Sequence, residues 1–233
     1  MSQETNTFLG AFKKHKQALP DNSGNKIRRT ICGNGKSLES VFREIMLKNE
    51  VNKAFEVLKN GGLILYPTDT IWGIGCDATN EAAVAKVYAL KEGEEAKSLI
   101  ILLDTDAKLL SYVQEVPDVA YDLIEYAENP LTIVYSNAKN LASNLINADG
   151  SIAIRIAKHQ FCQELIQRFR RPIVSTSANI SGEPAPAFFD EISQEIIQGV
   201  DYVVNLEQSL SEKKKASTIM KLEPDGRFAF IRK

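Results

Sequence analysis

The chain has 233 residues, of which 44% are hydrophobic, with a formal net charge of −2 and a pI near 5.8. That is enough apolar material for one large domain with an appendage and too little positive charge for a general nucleic-acid surface, so any anion site is local. Three scattered cysteines (Cys32, Cys76, Cys162) and two histidines (His15, His159) argue against a disulfide framework, a zinc site or a His-rich centre, and no apolar run nears the ~18 residues of a membrane span, so the expected location is cytoplasmic.

Residues 1–36 are basic, with seven Lys or Arg (Lys13, Lys14, Lys16, Lys26, Arg28, Arg29, Lys36) against Glu4 and Asp21. They read as a partly flexible arm, either a solvated tail or a segment that meets RNA or a partner. The expected division is an arm over 1–45 and a domain over 46–233. Gly33–Ser37 (GNGKS) imitates a phosphate loop, but the glycine that such a loop needs five residues before Gly35 is Thr30. From residue 38 strands and helices alternate. Val51, Ala54, Phe55 and Leu58 predict a helix over Ser40–Lys59, stopped at Gly61-Gly62. Leu63–Tyr66 reads as a strand buried on both faces and ended by Pro67, after which Thr68, Asp69 and Thr70 stand where open α/β sheets bind ligands. Trp72 offers a wall, and Gly73 and Gly75 a tight turn or a close backbone approach.

Thr79 or Asn80 caps the next helix (Val84, Val87, Leu90), followed by a polar loop from Lys91 to Lys97 and a strand over Leu99–Leu103. Helices are expected over Ala107–Val113 and over Asp118–Glu128, the latter with Pro117 in its first turn. Strands over Leu131–Tyr135 and Ile152–Ile156 precede a helix over His159–Phe169 and a short strand over Ile173–Ser175. Asp190 is expected to cap a helix carrying Ile192, Ile196 and Ile197. Tyr202–Leu206, Thr218–Leu222 and Phe228–Arg232, the last after an Asp225-Gly226 turn, read as an antiparallel end. The sum is an α/β fold on a mixed parallel and antiparallel sheet.

The chemistry gathers at strand ends. Beside Thr68–Thr70 stand Lys91 and Lys97, either phosphate ligands or a solvated loop balanced by Glu92, Glu94 and Glu95. Alternation places Ser151 and Arg155 on one face, where Arg155 holds a carboxylate bidentately or makes a surface ion pair. Ser175-Thr176-Ser177-Ala178-Asn179, with Gly182 beyond, is a phosphate-facing turn or an ordinary polar one. Ser217, Thr218 and Arg232 are further candidates, and Lys213–Lys215 reads as a solvated run. There is no G-x-S-x-G, H-E-x-x-H or G-x-G-x-x-G. Without a nucleophile and base, the simplest chemistry is positioning and charge stabilisation, as in phosphate-centred transfer with Mg²⁺ carried by the nucleotide.

Taken together and in order, YPTDTIWGIGCDA (Tyr66–Ala78), the Lys91 to Leu99 loop, SIAIRIA (Ser151–Ala157), PIVSTSANISGEPAP (Pro172–Pro186) and ASTIMKL (Ala216–Leu222) resemble the YrdC/YciO-like family of threonylcarbamoyl-AMP synthases over roughly Val51–Arg232. The resemblance implies a twisted mixed sheet with flanking helices around a deep basic cavity. It also implies a nucleotidyltransferase that joins L-threonine, bicarbonate and ATP into L-threonylcarbamoyl-AMP with release of pyrophosphate, for a partner complex that modifies tRNA. By matching position, Thr68, Arg155, Ser175 and Ser217 would hold threonine. Lys97, Ser151, Ser177, Asn179 and Arg232 would hold the nucleotide, with Lys91 adding charge. Lys91, Lys97 and Arg155 would serve catalysis. Mg²⁺ would come with ATP and no protein-bound metal is expected. The family's first loop carries an Arg where this chain has Gly93, so the alternatives are a YciO-like paralogue without synthase activity or an RNA-binding protein that grips double-stranded RNA or tRNA.

Overall fold

The structure, a computed structural model, describes residues 37–91, 99–209 and 214–232. The chain divides into two compact units, residues 1–49 and 50–233. In the first, the described part opens helix α1 (Leu38–Lys59), where Ser37 Oγ accepts the Ser40 amide at 3.1 Å and caps the helix. The basic arm, Cys32 and the GNGKS glycines lie outside the described residues, as do Gly93 and Lys97.

The second unit is built on a mixed sheet. Its strands are β1 (Ile64–Tyr66), β2 (Gly73–Gly75), β3 (Ile100–Leu103), β4 (Leu131–Tyr135), β5 (Ile152–Ile156), β6 (Ile173–Ser177), β7 (Tyr202–Val203), β8 (Thr218–Leu222) and β9 (Phe228–Arg232). Among the described residues they stand in the order β7-β1-β2-β6-β3-β5-β4-β8-β9. The β1/β7, β3/β5 and β4/β8 pairs are parallel and the other neighbours antiparallel. Helices α2 (Glu81–Lys91), α3 (Val119–Glu125), α4 (Gln160–Phe169) and α5 (Gln194–Gly199) complete it.

Burial follows the strand's two-residue period. Leu63 and Leu65 face a core shared with Ile74, Val84, Val87, Ile101 and Ile133, whereas Tyr66 points the other way, its ring centroid 6.3 Å from that of Phe161 on α4. Both faces of β1 are therefore covered, as its unbroken apolar run requires. Glu50, 1% exposed, ties α1 to the far edge by accepting from Tyr202 Oη at 2.5 Å and the Asn205 amide at 2.7 Å.

Several expectations need correction. Of the two readings of Gly73 and Gly75, the turn is set aside and the close backbone approach is met: Gly73–Gly75 is strand β2, between β1 and β6, and a Cβ at Gly75 would stand 2.6 Å from the Val174 carbonyl oxygen. Tyr202–Leu206 contracts to β7 and leaves the terminal hairpin to pair with β1 at the opposite edge. Strand β6 runs on through Thr176 and Ser177. Ala107–Val113 is a 3-10 turn over Asp106–Ser111, capped by Thr105. Helix α3 is shorter than Asp118–Glu128, and Pro117 precedes its cap, Asp118, rather than sitting in its first turn. Asp190 lies inside a 3-10 turn, Phe189–Glu191, while Ser193 caps α5 by accepting from the Ile196 amide at 3.4 Å. Asn80, not Thr79, caps α2, its Oδ1 accepting from the Ala83 amide.

Candidate active site

Proline ends β1, and the chain then turns on its own hydroxyls. Thr68 Oγ1 accepts the Thr70 amide at 2.9 Å and donates to the Ile71 carbonyl at 2.8 Å. Thr70 Oγ1 lies 2.9 Å from Thr68 Oγ1 and accepts from Arg155 Nη1 at 2.8 Å. A guanidinium only donates and the Thr68 proton is committed to Ile71, so the Thr70 proton points to Thr68. The relay holds Arg155 in one orientation near the end of β5, between Leu102 of β3 and Thr132 of β4.

Arg155 is 3% exposed. Its Nη2 lies 3.5 Å from Asp69 Oδ1, a long ion pair. Arg155 Nε and both Asp69 oxygens make no hydrogen bond among the described residues. Thr70 and Asp69 thus hold the guanidinium from one side. It lines a cavity of about 130 Å³ together with Thr70, Trp72, Ser175 and Ser177. Ser217 and Arg232 complete the far wall. Thr132 Oγ1 lies 2.8 Å from Ser217 Oγ, while Arg232 Nε and Nη2 donate to the Ser217 carbonyl at 3.1 and 2.9 Å. Burial, and next the charge of Arg155, draw the Arg232 pKa down. Two cations facing one small space favour an anion there, and the volume, below the roughly 300 Å³ of a drug-sized pocket, suits something the size of an amino acid.

The cavity thus brings together Arg155, Ser175, Ser177, Ser217 and Arg232. Thr68 lines a smaller space behind it, sharing Thr70 and Trp72. Ser151 is outside the lining: its Oγ donates to Asp149 Oδ1 at 2.6 Å and accepts from Asn147 Nδ2 at 3.0 Å. Asn179 Nδ2 is turned onto its own loop, donating to the Ile180 and Glu183 carbonyls. Lys97 lies outside the described residues.

Lys91 is the last residue of α2 rather than part of a polar loop. It is 4% exposed, and its Nζ donates to the Ser177 and Asn179 carbonyls at 2.9 and 2.7 Å, tying the helix to the segment that leaves β6. Burial lowers its pKa to about 8 from an ordinary 10.5. Above pH 8 the folded chain gives up this proton while the unfolded chain keeps it, so the Lys91 contribution to stability rises with pH. Relative to Lys91→Met, the wild type is expected to gain about 2 kcal/mol between pH 8 and 9.5 in urea unfolding. A constant difference would contradict this.

Behind the cavity wall sits a group with no motif to announce it. Lys214 Nζ donates to the Thr68 carbonyl at 2.8 Å and to Glu207 Oε2 at 3.0 Å, and Glu207 Oε1 lies 2.8 Å from His159 Nε2. Lys214 is therefore not the solvated residue its neighbours suggest. The hydrogen bond with His159, and after it that with Lys214, overcomes burial and lowers the Glu207 pKa to about 2. A carboxylate below its ordinary 4.5 contributes stability that is complete above pH 4.5 and fades towards pH 2. Glu207→Gln is expected to flatten that part of the acid-unfolding curve.

The fold and cavity define a class: an α/β protein whose mixed sheet carries a small cationic pocket between the ends of β1, β5, β6 and β8. The Sua5/YciO/YrdC family profile, described as telomere recombination, matches residues 56–233, and the chain belongs to that family. It is 33% identical over 175 residues to the threonylcarbamoyl-AMP synthase of Pseudoalteromonas translucida (strain TAC 125), covering 74% of this chain and 92% of that protein. Sua5 from P. abyssi, solved in complex with L-threonine, matches with a TM-score of 0.66 at 25% identity over 74% of this chain and 50% of that one. E. coli YciO matches in fold with a TM-score of 0.68 at 22% identity, over 78% of this chain and 88% of that one. The chain spans about half the length of the P. abyssi Sua5 chains. The expected family and the mixed sheet with flanking helices are thus met. No helix among the described residues is long and apolar enough to cross a membrane.

Proposed function

We propose that the chain makes L-threonylcarbamoyl-AMP from L-threonine, bicarbonate and ATP, as a nucleotidyltransferase that releases pyrophosphate. The observation that carries this reading is Arg155, a buried guanidinium held by Thr70 that lines an amino-acid-sized cavity, within a chain 33% identical to a threonylcarbamoyl-AMP synthase.

In this reading Arg155 takes the threonine carboxylate, and Ser175 and Ser217 bind its remaining polar atoms. Thr68 acts through the turn that orients Thr70 and Arg155. The threonine ammonium loses a proton, the free amine adds to the carbon supplied by bicarbonate, and water leaves, giving a carbamate. A carbamate oxygen then attacks the α-phosphorus of ATP, the bond from that phosphorus to the bridging oxygen breaks, and pyrophosphate departs with the Mg²⁺ that ATP brought. Ser177 and Arg232, with Lys97, are the phosphate contacts, and Lys91 holds the Ser177–Asn179 carbonyls in place. No covalent enzyme intermediate is needed, because the protein aligns two substrates and stabilises charge. The product suits a downstream complex that transfers the threonylcarbamoyl group to adenosine in tRNA.

The test is pyrophosphate release by the purified protein given ATP, bicarbonate and Mg²⁺, with and without L-threonine. Release that requires both threonine and bicarbonate is expected. A folded protein that releases none, or releases it without threonine, contradicts the proposal.

A further inference from the structure

We propose that Glu207 is a positioning residue, clamping the three segments that present Thr68, Arg155 and Ser217 and thereby setting the affinity for the amino-acid substrate; the inference deepens the synthase reading and rests on it. The first sign is backbone conformation. Glu207 has φ +56°, in the left-handed region that L side chains rarely adopt. A non-glycine residue persists there when its surroundings hold it, and Glu207 is held from both sides.

One carboxylate oxygen meets His159, the residue that precedes α4 and follows Arg155 by four positions. The other accepts from Lys214, three residues before Ser217. Lys214 in turn donates to the Thr68 carbonyl, in the turn whose hydroxyls orient Thr70 and Arg155. Each partner of the carboxylate therefore belongs to a segment that carries a cavity residue, and the cation between Glu207 and Thr68 joins them. Glu207 and Lys214 line a space of about 20 Å³ that shares Thr70, Ile71 and Trp72 with the main cavity, so they stand directly behind the wall.

An ordinary surface ion pair does not fit. The side chains of His159, Lys214 and Glu207 are only 13%, 28% and 32% exposed. His159 Nδ1 is buried without a hydrogen bond among the described residues, so the Nε2 contact to Glu207 is the polar bond that orients the ring. Removal of the carboxylate frees His159 and lets Lys214 swing from Thr68, which loosens the turn behind Arg155. The expected effect falls on ground-state binding of the amino acid rather than on the phosphoryl step, since nothing in the clamp lines the main cavity.

The test uses the full chain and two readouts. Glu207→Gly removes the carboxylate and relaxes the left-handed residue, so the lost ion pairs are partly offset and the variant is expected to stay folded with a melting temperature lower by several degrees. Its dissociation constant for L-threonine, measured by calorimetry, is expected to rise about tenfold. In pyrophosphate release the KM for threonine rises by the same factor, with kcat within about threefold and the KM for ATP unchanged. Lys214→Met is expected to act in the same direction, and Lys214→Arg to restore wild-type threonine binding because it keeps a donor cation at that place. Threonine binding that is equal in wild type, Glu207→Gly and Lys214→Met overturns this inference alone, as does a loss confined to kcat. A wild type that binds no L-threonine overturns the synthase reading and, with it, this one.

Discussion

Arg155→Ala is expected to abolish threonine-dependent pyrophosphate release, lowering kcat/KM for threonine by 10²-fold or more. A guanidinium that grips a carboxylate inside a water-poor cavity makes charge-assisted bonds, and removing such a donor costs about 3–5 kcal/mol. The single substitution also leaves Asp69 buried without its neighbouring cation, and that loss lowers stability. The two effects separate in the double variant Arg155→Ala/Asp69→Asn. Neutralising the carboxylate is expected to return most of the lost stability in urea unfolding, while threonine-dependent release stays absent. Activity that returns together with stability would show that Arg155 acts only as a counter-ion.

Gly75→Ala is expected to be the most destabilising single methyl that the sheet can receive. A Cβ at this position would stand 2.6 Å from the Val174 carbonyl oxygen and 2.7 Å from Tyr66 Cε1. Neither obstacle can retreat. The carbonyl belongs to β6, and Tyr66 is fully buried, packed on Phe161, with its hydroxyl donating to that same carbonyl at 3.1 Å. Overpacking of this kind costs about 3 kcal/mol or more, read as a fall in the urea midpoint. Gly73→Ala is the control. Its nearest atoms are Ser175 Oγ at 3.2 Å and the Thr176 carbonyl at 3.3 Å, and it lines the cavity. It is expected to lose only about 1 kcal/mol of stability while raising the KM for threonine. Equal stability losses at the two glycines would mean that β2 is not held as tightly as its packing indicates.

Much of this was written locally in the chain. Strands β4, β5, β8 and β9 begin and end where their apolar patterns do, and α1 stops at the glycine with φ +71°. Five of the residues singled out by motif (Arg155, Ser175, Ser177, Ser217 and Arg232) meet in one cavity, because each stands in or beside a strand with the polar chemistry an anion needs, whereas Ser151, which alternation put on the face of Arg155, lies outside it. Such features depend on a residue's own conformation and on which face of its element meets water, and a window of some ten residues records both.

Other features were decided only by distance in space. Two glycines carry no side-chain pattern, so a turn and a close backbone approach stay open at β2 until β1 and β6 close on it. Strand β7 reads as a member of the last hairpin because nothing in its residues names its partner, and it pairs instead with β1, more than a hundred positions earlier. Lys91 was legible as a cation but not as one turned inward onto two carbonyls. Lys214 stands in a run of lysines, yet it bridges Glu207 to Thr68, a residue 146 positions from it. Composition and periodicity determined the strands and the candidate residues at their ends, and the order and spacing of the motifs carried the resemblance to the family; the partner of each strand and the ion pairs behind the cavity were set by tertiary packing, since both depend on non-local approach, to which local periodicity is blind.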